Sequence, residues 1–357
     1  MLLSALERLR LFLRPPGKGI YTPSTGGGYA TRLLTQLYGT SDAKEVSVAW
    51  ENGLQKLRRV RGVVLGIPSD TGAGIMRGAN FGPIGVREAY LEKYGNYPKD
   101  VLDVGDVIVV PQLLHDEMLS ESQIKATKES LFPGVNGALP VSPLSIAEAA
   151  YAALRELNPN LEVYLIGGDH SVTWPAIVDC EKRFHDNFAV LHFDAHTDLM
   201  EHRLGVKYCF GTWAYLAQKI MKPRSLVQVG VRTSGKPKEH WEKTYPVTQF
   251  WAKEIVGNED RAIQNILAHF KKIQAKHIYI SNDIDGTDSG LAPATGTPEI
   301  NGLTAEFVGE LISKVKSNFK VIGGDVVEVA PILSGRRDFK NEETCVLAAD
   351  YLHTLMQ

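Results

Sequence analysis

Three short segments of the chain combine carboxylate and imidazole side chains. They read Gly167-Gly-Asp-His-Ser171, Asp194-Ala-His-Thr-Asp198 and Ser281-Asn-Asp-Ile-Asp285. Mixed oxygen and imidazole ligands suit borderline divalent ions such as Mn²⁺, with Ni²⁺, Co²⁺ or Zn²⁺ as alternatives. A single Asp-X-Asp pair or Gly-Gly-Asp-His-Ser loop is typical of an ordinary turn. The prediction of a metal site therefore depends on the three segments lying together.

The spacing inside two of these segments places the candidate ligands on one side of the backbone. Asp194, His196 and Asp198 lie at every second position, and so do Asp283 and Asp285. Alternate side chains of an extended backbone point to the same face. Each of the two segments can therefore direct all of its ligands toward one site.

The charges of the candidate ligands favour two ions rather than one. Four carboxylates beside two imidazoles repel one another and shift each other's pKa values unless cations neutralise them. Six such ligands suit two divalent ions that share carboxylates and a hydroxide. The six candidate ligands are His170, Asp194, His196, Asp198, Asp283 and Asp285.

Each segment follows a short apolar run that predicts a buried β-strand. These runs are Val163–Ile166, Phe188–Phe193 and His277–Ser281. In an open α/β sheet, ligands bind outside the carboxyl ends of the strands, so we expect the three segments at one edge of the sheet. Further strand candidates are Val63–Ile67, Val107–Val110, Leu226–Val231 and Phe319–Ile322.

Helical patterns lie between these runs and after the last of them. Ser145-Ile-Ala-Glu148 has the form of a capping box that opens a helix ending near Leu157. The alternation of strands and helices predicts an α/β fold with a mostly parallel sheet covered on both faces. Apolar residues at helical spacing predict three more helices, over Asp260–Gln274, Thr304–Ser317 and Glu342–Met356.

The first 58 residues are predicted to form an extension of a single catalytic domain that spans residues 59–357. They begin with an amphipathic pattern, break at Pro15-Pro16, and continue through the turn-rich run Tyr21–Gly28. We expect this extension to form a subunit contact or to cover the mouth of the active site.

The composition argues against several classes of partner. A net charge of -2 and a pI near 6.6 make nucleic acid and anionic membranes poor candidates. No segment reaches the roughly 18 apolar residues that a membrane span needs, and the N-terminus lacks a signal-peptide core. Three scattered cysteines do not make a disulfide framework, which favours a cytoplasmic location.

In their order along the chain, the three segments resemble the signature motifs of the ureohydrolase family, which includes arginases and agmatinases. The resemblance extends over roughly residues 60–357 and favours the agmatinase-like branch. It implies a three-layer α/β/α sandwich around a mostly parallel sheet of about eight strands, assembled as a homotrimer or homohexamer. The further segments that carry it are Gly66-Ile-Pro-Ser-Asp-Thr-Gly72, Arg77-Gly-Ala-Asn-Phe-Gly-Pro83, Leu291-Ala-Pro-Ala-Thr-Gly-Thr-Pro298 and Gly324-Asp-Val-Val-Glu-Val-Ala-Pro331.

The resemblance also implies a role for each site residue. Water activated between two ions would cleave a small guanidino substrate to urea and an amine. Glu328 would pair with the guanidinium group, and Thr297 would line the same pocket. One ion would be held by His170, Asp194, Asp198 and Asp283, and the other by Asp194, His196, Asp283 and Asp285.

One family residue is missing from its expected place. A histidine that passes a proton to the leaving amine usually follows the second motif, but this chain has Phe210 in the corresponding stretch Lys207–Trp213. A phenylalanine cannot transfer protons, so His202 is the candidate replacement, against the simpler interpretation of a solvated loop histidine. Phe210 and Trp213 are predicted to line the substrate pocket and to narrow it. The predicted catalytic residues are therefore Asp198, Glu328 and His202.

These features favour hydrolysis of a guanidino compound, with agmatine or a guanidino acid as the first expectation. The aromatic loop around Phe210 and the long extension keep open free guanidine, or another very small guanidine or formimidoyl substrate. The missing histidine also leaves open a metal-binding pseudoenzyme with a structural or regulatory role. The presence of all six candidate ligands and of Glu328 argues against that last hypothesis.

Overall fold

A nine-stranded, mostly parallel β-sheet forms the centre of the molecule. The computed structural model describes residues 3–21, 28–336 and 338–357. Most of the predicted turn-rich run Tyr21–Gly28 falls on residues 22–27, outside the described residues. The strands are β1 (Leu13–Arg14), β2 (Gly62–Gly66), β3 (Val101–Val107), β4 (Glu162–Ile166), β5 (Phe188–Phe193), β6 (Leu226–Val229), β7 (Val247–Phe250), β8 (His277–Asp283) and β9 (Lys320–Val327).

Thirteen α-helices accompany the sheet in the described part of the chain. Four of them, the sixth, eleventh, twelfth and thirteenth, correspond to the helices predicted from the sequence. Within the described ranges, none combines the length and the hydropathy that a membrane span requires. The helices are α1 (Ala5–Phe12), α2 (Gly28–Tyr38), α3 (Ala43–Leu54), α4 (Gly82–Tyr94), α5 (Glu121–Leu131), α6 (Pro143–Leu157), α7 (Trp174–Phe184), α8 (Trp213–Ile220), α9 (Lys238–Thr244), α10 (Ala252–Ile255), α11 (Glu259–Lys272), α12 (Ala305–Asn318) and α13 (Glu343–Met356).

The strands lie in the order β1-β3-β2-β4-β9-β8-β5-β6-β7, and all of them are parallel except β1. Parallel strands buried on both faces need apolar side chains throughout, which Val63, Val64 and Leu65 of β2 supply. Two clusters of buried apolar residues join the two faces of the sheet to their helices. The predicted three-layer α/β/α sandwich is confirmed, with eight parallel strands and one additional strand of two residues.

The strand predicted at Val107–Val110 lies earlier in the chain, as β3 over Val101–Val107. This strand contains Asp103 and Asp106, so its sequence is not a continuous apolar run. The side chain of Arg87 pairs with both carboxylates inside the fold. An internal ion pair therefore allows two acidic residues in a buried strand.

Two other local predictions need correction. The predicted capping box at Ser145 is wrong, because α6 begins at Pro143 and the Ser145 Oγ accepts a hydrogen bond from the backbone of Asp116. Strand β7 is absent from the predicted set, because only two of its four residues are apolar. It also lies at the edge of the sheet, where one side of a strand needs no partner.

The described part of the N-terminal extension packs against the same sheet. Helix α1 is amphipathic and begins with a capping box between Ser4 and Glu7. It buries Ala5, Leu9 and Phe12 in the apolar cluster that also contains residues of α6. Strand β1 then pairs with β3 at the edge of the sheet. The boundary near residue 58 stays a prediction, and the described part of the extension contributes to the common core.

Candidate metal centre

The three sequence motifs meet at one edge of the sheet. His170 lies in a short 3-10 turn after β4, Asp194 follows β5, and Asp283 ends β8. Glu328 follows β9, which lies between β4 and β8. Parallel strands present their carboxyl ends at a common edge. These four residues therefore come from different parts of the chain to one place.

Close packing of the loop that carries His170 requires glycine at position 168. A Cβ on Gly168 would lie 1.8 Å from the backbone oxygen of Ser69. The same oxygen accepts the backbone N–H of Asp169, whose carboxylate in turn accepts the N–H of Gly72 at 2.9 Å. The loop after β4 is thereby fixed to the loop after β2.

The side chain of His170 is fully buried and surrounded by carboxylates. Its Nδ1 lies 2.9 Å from Oδ2 of Asp283 and 3.3 Å from Oδ2 of both Asp194 and Asp198. Nδ1 makes no hydrogen bond with these or other described residues. The four groups converge on one point that a cation can occupy.

The second ring nitrogen of His170 indicates which tautomer the centre requires. Nε2 lies 3.0 Å from Ser281 Oγ, and Ser281 donates its hydroxyl proton to Asp325 at 2.9 Å. Burial raises the pKa of Asp325, but the hydroxyls of Thr173 and Tyr279 also donate to it and favour its ionised form. Ser281 Oγ therefore accepts the Nε2–H of His170, so in the neutral ring the lone pair lies on Nδ1 and faces three carboxylates. A divalent cation removes that repulsion, so these residues fit a metal ion.

The pKa values of this cluster also show that it attracts positive charge. Burial lowers the pKa of His170, but Asp194 and Asp283 outweigh burial and raise that pKa well above its ordinary value. Burial, and then the charges of neighbouring carboxylates, raise the pKa of Asp198 and of Asp283 well above their usual range. A metal ion would compete with protons for these groups.

No lysine or arginine contacts these carboxylates among the described residues. The ion pairs of Asp194, Asp198, Asp283 and Asp285 are all made with histidines. Arg232 donates to backbone carbonyls, including that of Asp285, rather than to any of the four carboxylates. Buried carboxylates without a permanently charged partner such as lysine or arginine are costly. Metal cations would remove that cost.

A second group of ligands adjoins the first on its more exposed side. His196 Nδ1 is 3.4 Å from Asp194 Oδ1 and 3.2 Å from Asp285 Oδ2. The ligating atoms of these three residues lie within 4.8 Å of one another. Asp194 belongs to both groups, because its Oδ2 faces His170 and its Oδ1 faces His196. The structure thus brings the six predicted ligands together in two overlapping groups.

Backbone and hydroxyl donors hold two of the carboxylates in place. The backbone N–H of Asp285 donates to Asp283 at 2.9 Å, and that of Ala195 donates to Asp285 at 3.1 Å. Thr297, predicted to line the substrate pocket, donates its hydroxyl to the other oxygen of Asp285 at 2.9 Å. The Thr297 hydroxyl therefore donates its proton to a candidate metal ligand, Asp285.

Trp213 lies beneath the cluster, not at the wall of an open pocket. Its side chain is 1% exposed, and its Nε1–H donates to Asp198 Oδ2 at 2.9 Å. Its ring stacks on that of His170, with centroids 4.7 Å apart. The prediction that Trp213 lines the substrate pocket is corrected accordingly, since its indole orients a candidate ligand.

Phe210 lies in the loop after β5 and contacts the loop after β2. Its backbone N–H donates to the carbonyl of Gly72 at 3.1 Å, and a Cβ on Gly74 would lie 3.5 Å from its ring. The guanidinium of Arg203 lies over the same ring, 5.3 Å from its centroid. Phe210 therefore joins the loop after β2 to the loop after β5.

His202 lies in an exposed loop. Its Nδ1 accepts the backbone N–H of Gly205 in that same loop, at 3.1 Å. Across the described ranges, no contact joins His202 to the carboxylate cluster. The predicted proton transfer by His202 therefore has no supporting contact.

Glu328 places a further carboxylate beside the cluster. It is 5% exposed, and its φ of 62° is a left-handed conformation that residues other than glycine adopt infrequently. The backbone N–H of His170 donates to Oε1 at 2.8 Å, and Gly296 adjoins Oε2. Burial, and then the charges of Asp283 and Asp169, raise the pKa of Glu328 well above its usual range. A cationic partner would reverse that rise, so the position suits a guanidinium group.

Two residues that support the cluster from behind are missing from the sequence prediction. His192 Nε2 lies 2.8 Å from Asp194 Oδ2, and Asp325 holds Ser281 beneath His170. His192 extends the alternate series of the second motif by one step, so the spacing could have identified it. Asp325 stands alone in an apolar strand and gives no such signal.

Comparison with known proteins identifies the family. A model of the arginase family matches residues 61–357. The mitochondrial agmatinase of Gallus gallus is 32% identical over 286 residues, which cover 75% of this chain and 73% of that protein. The agmatinase of Bacillus anthracis is 27% identical over 305 residues, which cover 82% of this chain and 90% of that protein.

Solved structures with similar sequences have the same fold. A hypothetical agmatinase from Burkholderia thailandensis is 25% identical, with a TM-score of 0.63 and coverage of 84% of this chain and 86% of the other. The proclavaminate amidino hydrolase from Streptomyces clavuligerus is also 25% identical, with a TM-score of 0.64 and coverage of 83% and 90%. This chain thus belongs to the arginase family and is an amidinohydrolase, an enzyme that hydrolyses C–N bonds of linear amidines.

Proposed function

We propose that this enzyme hydrolyses a small guanidino compound to urea and an amine and depends on two divalent metal ions. One observation carries the proposal. Three carboxylates converge on Nδ1 of His170, and no described lysine or arginine contacts them. Carboxylate and imidazole donors favour Mn²⁺, with Ni²⁺ as the second choice.

Two overlapping sets of residues would hold the ions. When bound, two such ions lower the pKa of water and so supply a nucleophile at neutral pH. Asp194 faces both sets, and Asp283 is proposed to bridge them as well. The first set is His170, Asp194, Asp198 and Asp283, and the second set is Asp194, His196, Asp283 and Asp285.

Glu328 is proposed to bind the guanidinium group of the substrate. The His170 backbone N–H fixes one oxygen of this carboxylate, and the other oxygen adjoins Gly296 without a described basic partner. A planar guanidinium can donate two hydrogen bonds to a carboxylate, which would fix both its position and its orientation. Glu328 adjoins His170, so the guanidinium carbon would lie beside the metal centre.

The leaving amine must be protonated during the reaction. In the described geometry, neither Phe210 nor His202 can supply this proton from its side chain. The side chain of Phe210 has no exchangeable proton, and His202 contacts its own loop. We therefore propose that water at the mouth of the site supplies this proton. Basic leaving groups such as ammonia or an alkylamine bind a proton readily, so they suit this arrangement.

Agmatine or a guanidino acid is the first substrate candidate, because several relatives of this chain bear the name agmatinase. Free guanidine is the second candidate, and one observation favours it. The loop after β2 contacts the Phe210 ring through Gly74, and its Met76 carbonyl lies beside Gly296 next to Glu328. This loop therefore reaches the vicinity of Glu328 and leaves less room beside the proposed guanidinium site, which favours a short substrate.

Urea release tests the proposal. Metal-free protein would be reconstituted with Mn²⁺ or Ni²⁺ and supplied with agmatine, 4-guanidinobutyrate, free guanidine and formimidoylglutamate. We expect urea from at least one guanidino compound and none without added metal. If formamide is released from formimidoylglutamate and no guanidino compound yields urea, the substrate is a formimidoyl compound and the proposed substrate class is wrong. No turnover of any compound by folded, metal-loaded protein would contradict the proposal and favour the pseudoenzyme.

We also propose that the chain assembles as a homotrimer or homohexamer. Large apolar side chains on its described surface include Ile75 at 96% exposure and Leu204 at 98%. Exposed apolar surface is typical of interaction sites when it is contiguous. Light scattering should give three or six times the chain mass of 39.3 kDa. A monomer would contradict the proposed assembly.

A further inference from the structure

A row of polar side chains crosses the sheet behind the candidate metal centre. His192 of β5, Gln228 of β6 and Gln249 of β7 are paired in the register of the three parallel strands. Each of them is 1% exposed or less, and the residue two positions earlier on each strand is apolar and buried. Apolar side chains would pack at these positions without the cost of desolvating polar groups. The polar character of the row therefore points to a function.

Hydrogen bonds extend this row to Trp251 at one end and connect it to Asp194 at the other. Trp251 Nε1 is 2.9 Å from Gln249 Oε1, and Gln249 Nε2 is 2.8 Å from Gln228 Oε1. Gln228 Nε2 is 3.1 Å from His192 Nδ1, and His192 Nε2 is 2.8 Å from Asp194 Oδ2. We refer to Trp251, Gln249, Gln228 and His192 as the polar row.

The chemistry of two fixed groups sets the direction of every hydrogen bond in the polar row. An indole N–H can only donate, so the oxygen of Gln249 faces Trp251 and its NH₂ group faces Gln228. Independently, the Thr197 carbonyl can only accept, and it lies 2.6 Å from Gln228 Nε2. The indole N–H of Trp251 and the carbonyl of Thr197 thus lead to the same orientation of the Gln228 amide. In that orientation the NH₂ of Gln228 donates to His192 Nδ1. His192 must then carry its proton on Nε2.

We propose that His192 is a positioning residue that donates its Nε2–H to Asp194, and that the polar row holds it in this tautomer. Distance alone is ambiguous, because atoms of His170, His192, Asp194 and Asp198 lie within 4.8 Å of one another. However, Nδ1 of His192 accepts from Gln228 and its Nε2 carries a proton. Neither nitrogen keeps a lone pair for a metal ion. His192 therefore orients a ligand and is not one itself.

The residue that His192 orients is the carboxylate shared by both candidate ion sites. Asp194 Oδ1 accepts the backbone N–H of His196 at 2.6 Å, and Oδ2 accepts from His192. With both oxygens held, rotation of the carboxylate about its Cβ–Cγ bond is restricted. Groups that orient metal ligands in this way typically account for about 10- to 100-fold in metal affinity. This consequence rests on the proposed metal centre, but the assignment of the tautomer does not.

The first test measures the tautomer directly. Protein labelled with ¹⁵N-histidine would be loaded with Zn²⁺, which is diamagnetic, and its ring signals would be recorded by NMR. The His192 signals are those that disappear in the His192→Phe variant. We expect a protonated Nε2 and an unprotonated Nδ1 that is not bound to metal. A His192 ring protonated on Nδ1, or bound to Zn²⁺ through either nitrogen, would overturn the proposal.

The second test measures Zn²⁺ affinity by competition with a chelator. Gln228→Leu should weaken binding by about 10- to 100-fold. The metal-free variant should also unfold at a lower temperature, because the buried polar groups of Gln249 and Thr197 lose their partner. Trp251→Phe should have a smaller effect, since Thr197 still orients Gln228. The matched control is Gln218→Leu, which removes a buried glutamine that donates to Tyr215 outside the polar row. Equal affinity of the Gln228 and Gln218 variants would contradict the positioning role.

These outcomes are separable from the outcome of the urea assay. If the wild-type protein releases urea and the Gln228→Leu variant binds Zn²⁺ as tightly as it does, the positioning role is wrong and the proposed function stands. If His192 shows the expected tautomer but no guanidino compound is hydrolysed, the proposed function is wrong and the structural assignment stands.

Discussion

Two groups of buried carboxylates in this molecule meet the same electrostatic problem with different solutions. Asp103 and Asp106 of β3 are neutralised by the buried guanidinium of Arg87, which approaches them to 2.8 and 2.5 Å. The carboxylates around His170 contact no lysine or arginine in the described part of the chain. In the first group, the cation is Arg87, a residue of the same chain. The second group lacks such a partner in the described part of the chain, and we propose that it binds divalent cations from solution.

This difference explains why one group is structural and the other suits catalysis. A guanidinium is permanently charged and directs its donors in a fixed plane, so it holds Asp103 and Asp106 in one arrangement. A divalent ion held by protein ligands can also bind water and substrate, because its coordination need not be filled by the protein. An ion pair completed within the chain stabilises the fold. A group of carboxylates without an internal cation, an incomplete group, is proposed to provide a metal-binding site.

The largest expected effect comes from removing a carboxylate of the incomplete group. Asp283→Ala removes a side chain that faces His170 and is proposed to bridge both ions. Urea release should therefore fall by more than about 10³-fold, or about 4 kcal/mol of transition-state stabilisation. The metal-free variant should be at least as stable as the metal-free wild type, because it buries one carboxylate fewer. Asp260→Ala, on the exposed side of α11, is the control, and full activity of Asp283→Ala would refute the assignment.

Removing the internal cation of the other group should damage the fold instead of the metal centre. Arg87→Met leaves Asp103 and Asp106 buried without a partner, which should cost about 3–5 kcal/mol in the free energy of unfolding. Unfolding in urea, followed by circular dichroism, measures this loss. Replacing both aspartates with asparagine in the same variant should recover part of it. A loss below about 1 kcal/mol would contradict the proposed difference between the two groups, because Asp103 and Asp106 would then be stable without an internal cation.

Glu328→Gln sharpens the distinction between ligands and substrate contacts. The variant keeps the shape of the side chain but loses the charge proposed to pair with the guanidinium. A charge-assisted hydrogen bond contributes about 1.5–3 kcal/mol, so kcat/KM should fall about 10- to 100-fold. The content of bound metal should stay at the wild-type level. Loss of metal from this variant would instead place Glu328 among the ligands.

The smallest expected effect is a dependence of thermal stability on pH. In protein treated with a chelator, the raised pKa values of Asp198 and Asp283 mean that the folded state holds protons that the unfolded chain releases near pH 4. Stability of the chelated protein should therefore decrease as pH rises above about 4. The lowered pKa of Asp194 acts in the opposite sense, but only at pH values below about 4.

Metal ions bind the deprotonated carboxylates, so the metal-loaded protein should not show this decrease. The difference in Tm between metal-loaded and chelated protein should widen between pH 5 and pH 8. Scanning calorimetry at several pH values measures that difference. A gap that narrows as pH rises would contradict the proposed balance of charges.

The convergence of the candidate metal ligands could largely be predicted, because these residues lie in short local motifs. Asp194, His196 and Asp198 need only an extended backbone to face one way, and an apolar strand before them to reach the edge of the sheet. The two aspartates of β3 show the opposite case. Their burial depends on Arg87 in α4, a contact that no local pattern reveals.

The support and the mouth of the centre depend on tertiary contacts and could not be predicted. The polar row needs the register of three strands, and Trp213 reaches Asp198 only because α8 packs behind the cluster. The position of Phe210 depends on two loops whose conformations the sequence does not specify. Asn282 is buried with no hydrogen bond to its amide among the described residues, and nothing in the structure explains its polarity.

The number of metal ions bound per chain tests the central claim most directly. Protein would be stripped of metal, loaded with Mn²⁺, freed of excess ions and measured by elemental mass spectrometry. The incomplete carboxylate group should bind two ions per chain in the wild type, and fewer than two in Asp283→Ala. Folded wild-type protein without bound metal would show that protons alone neutralise these carboxylates, and it would contradict the account.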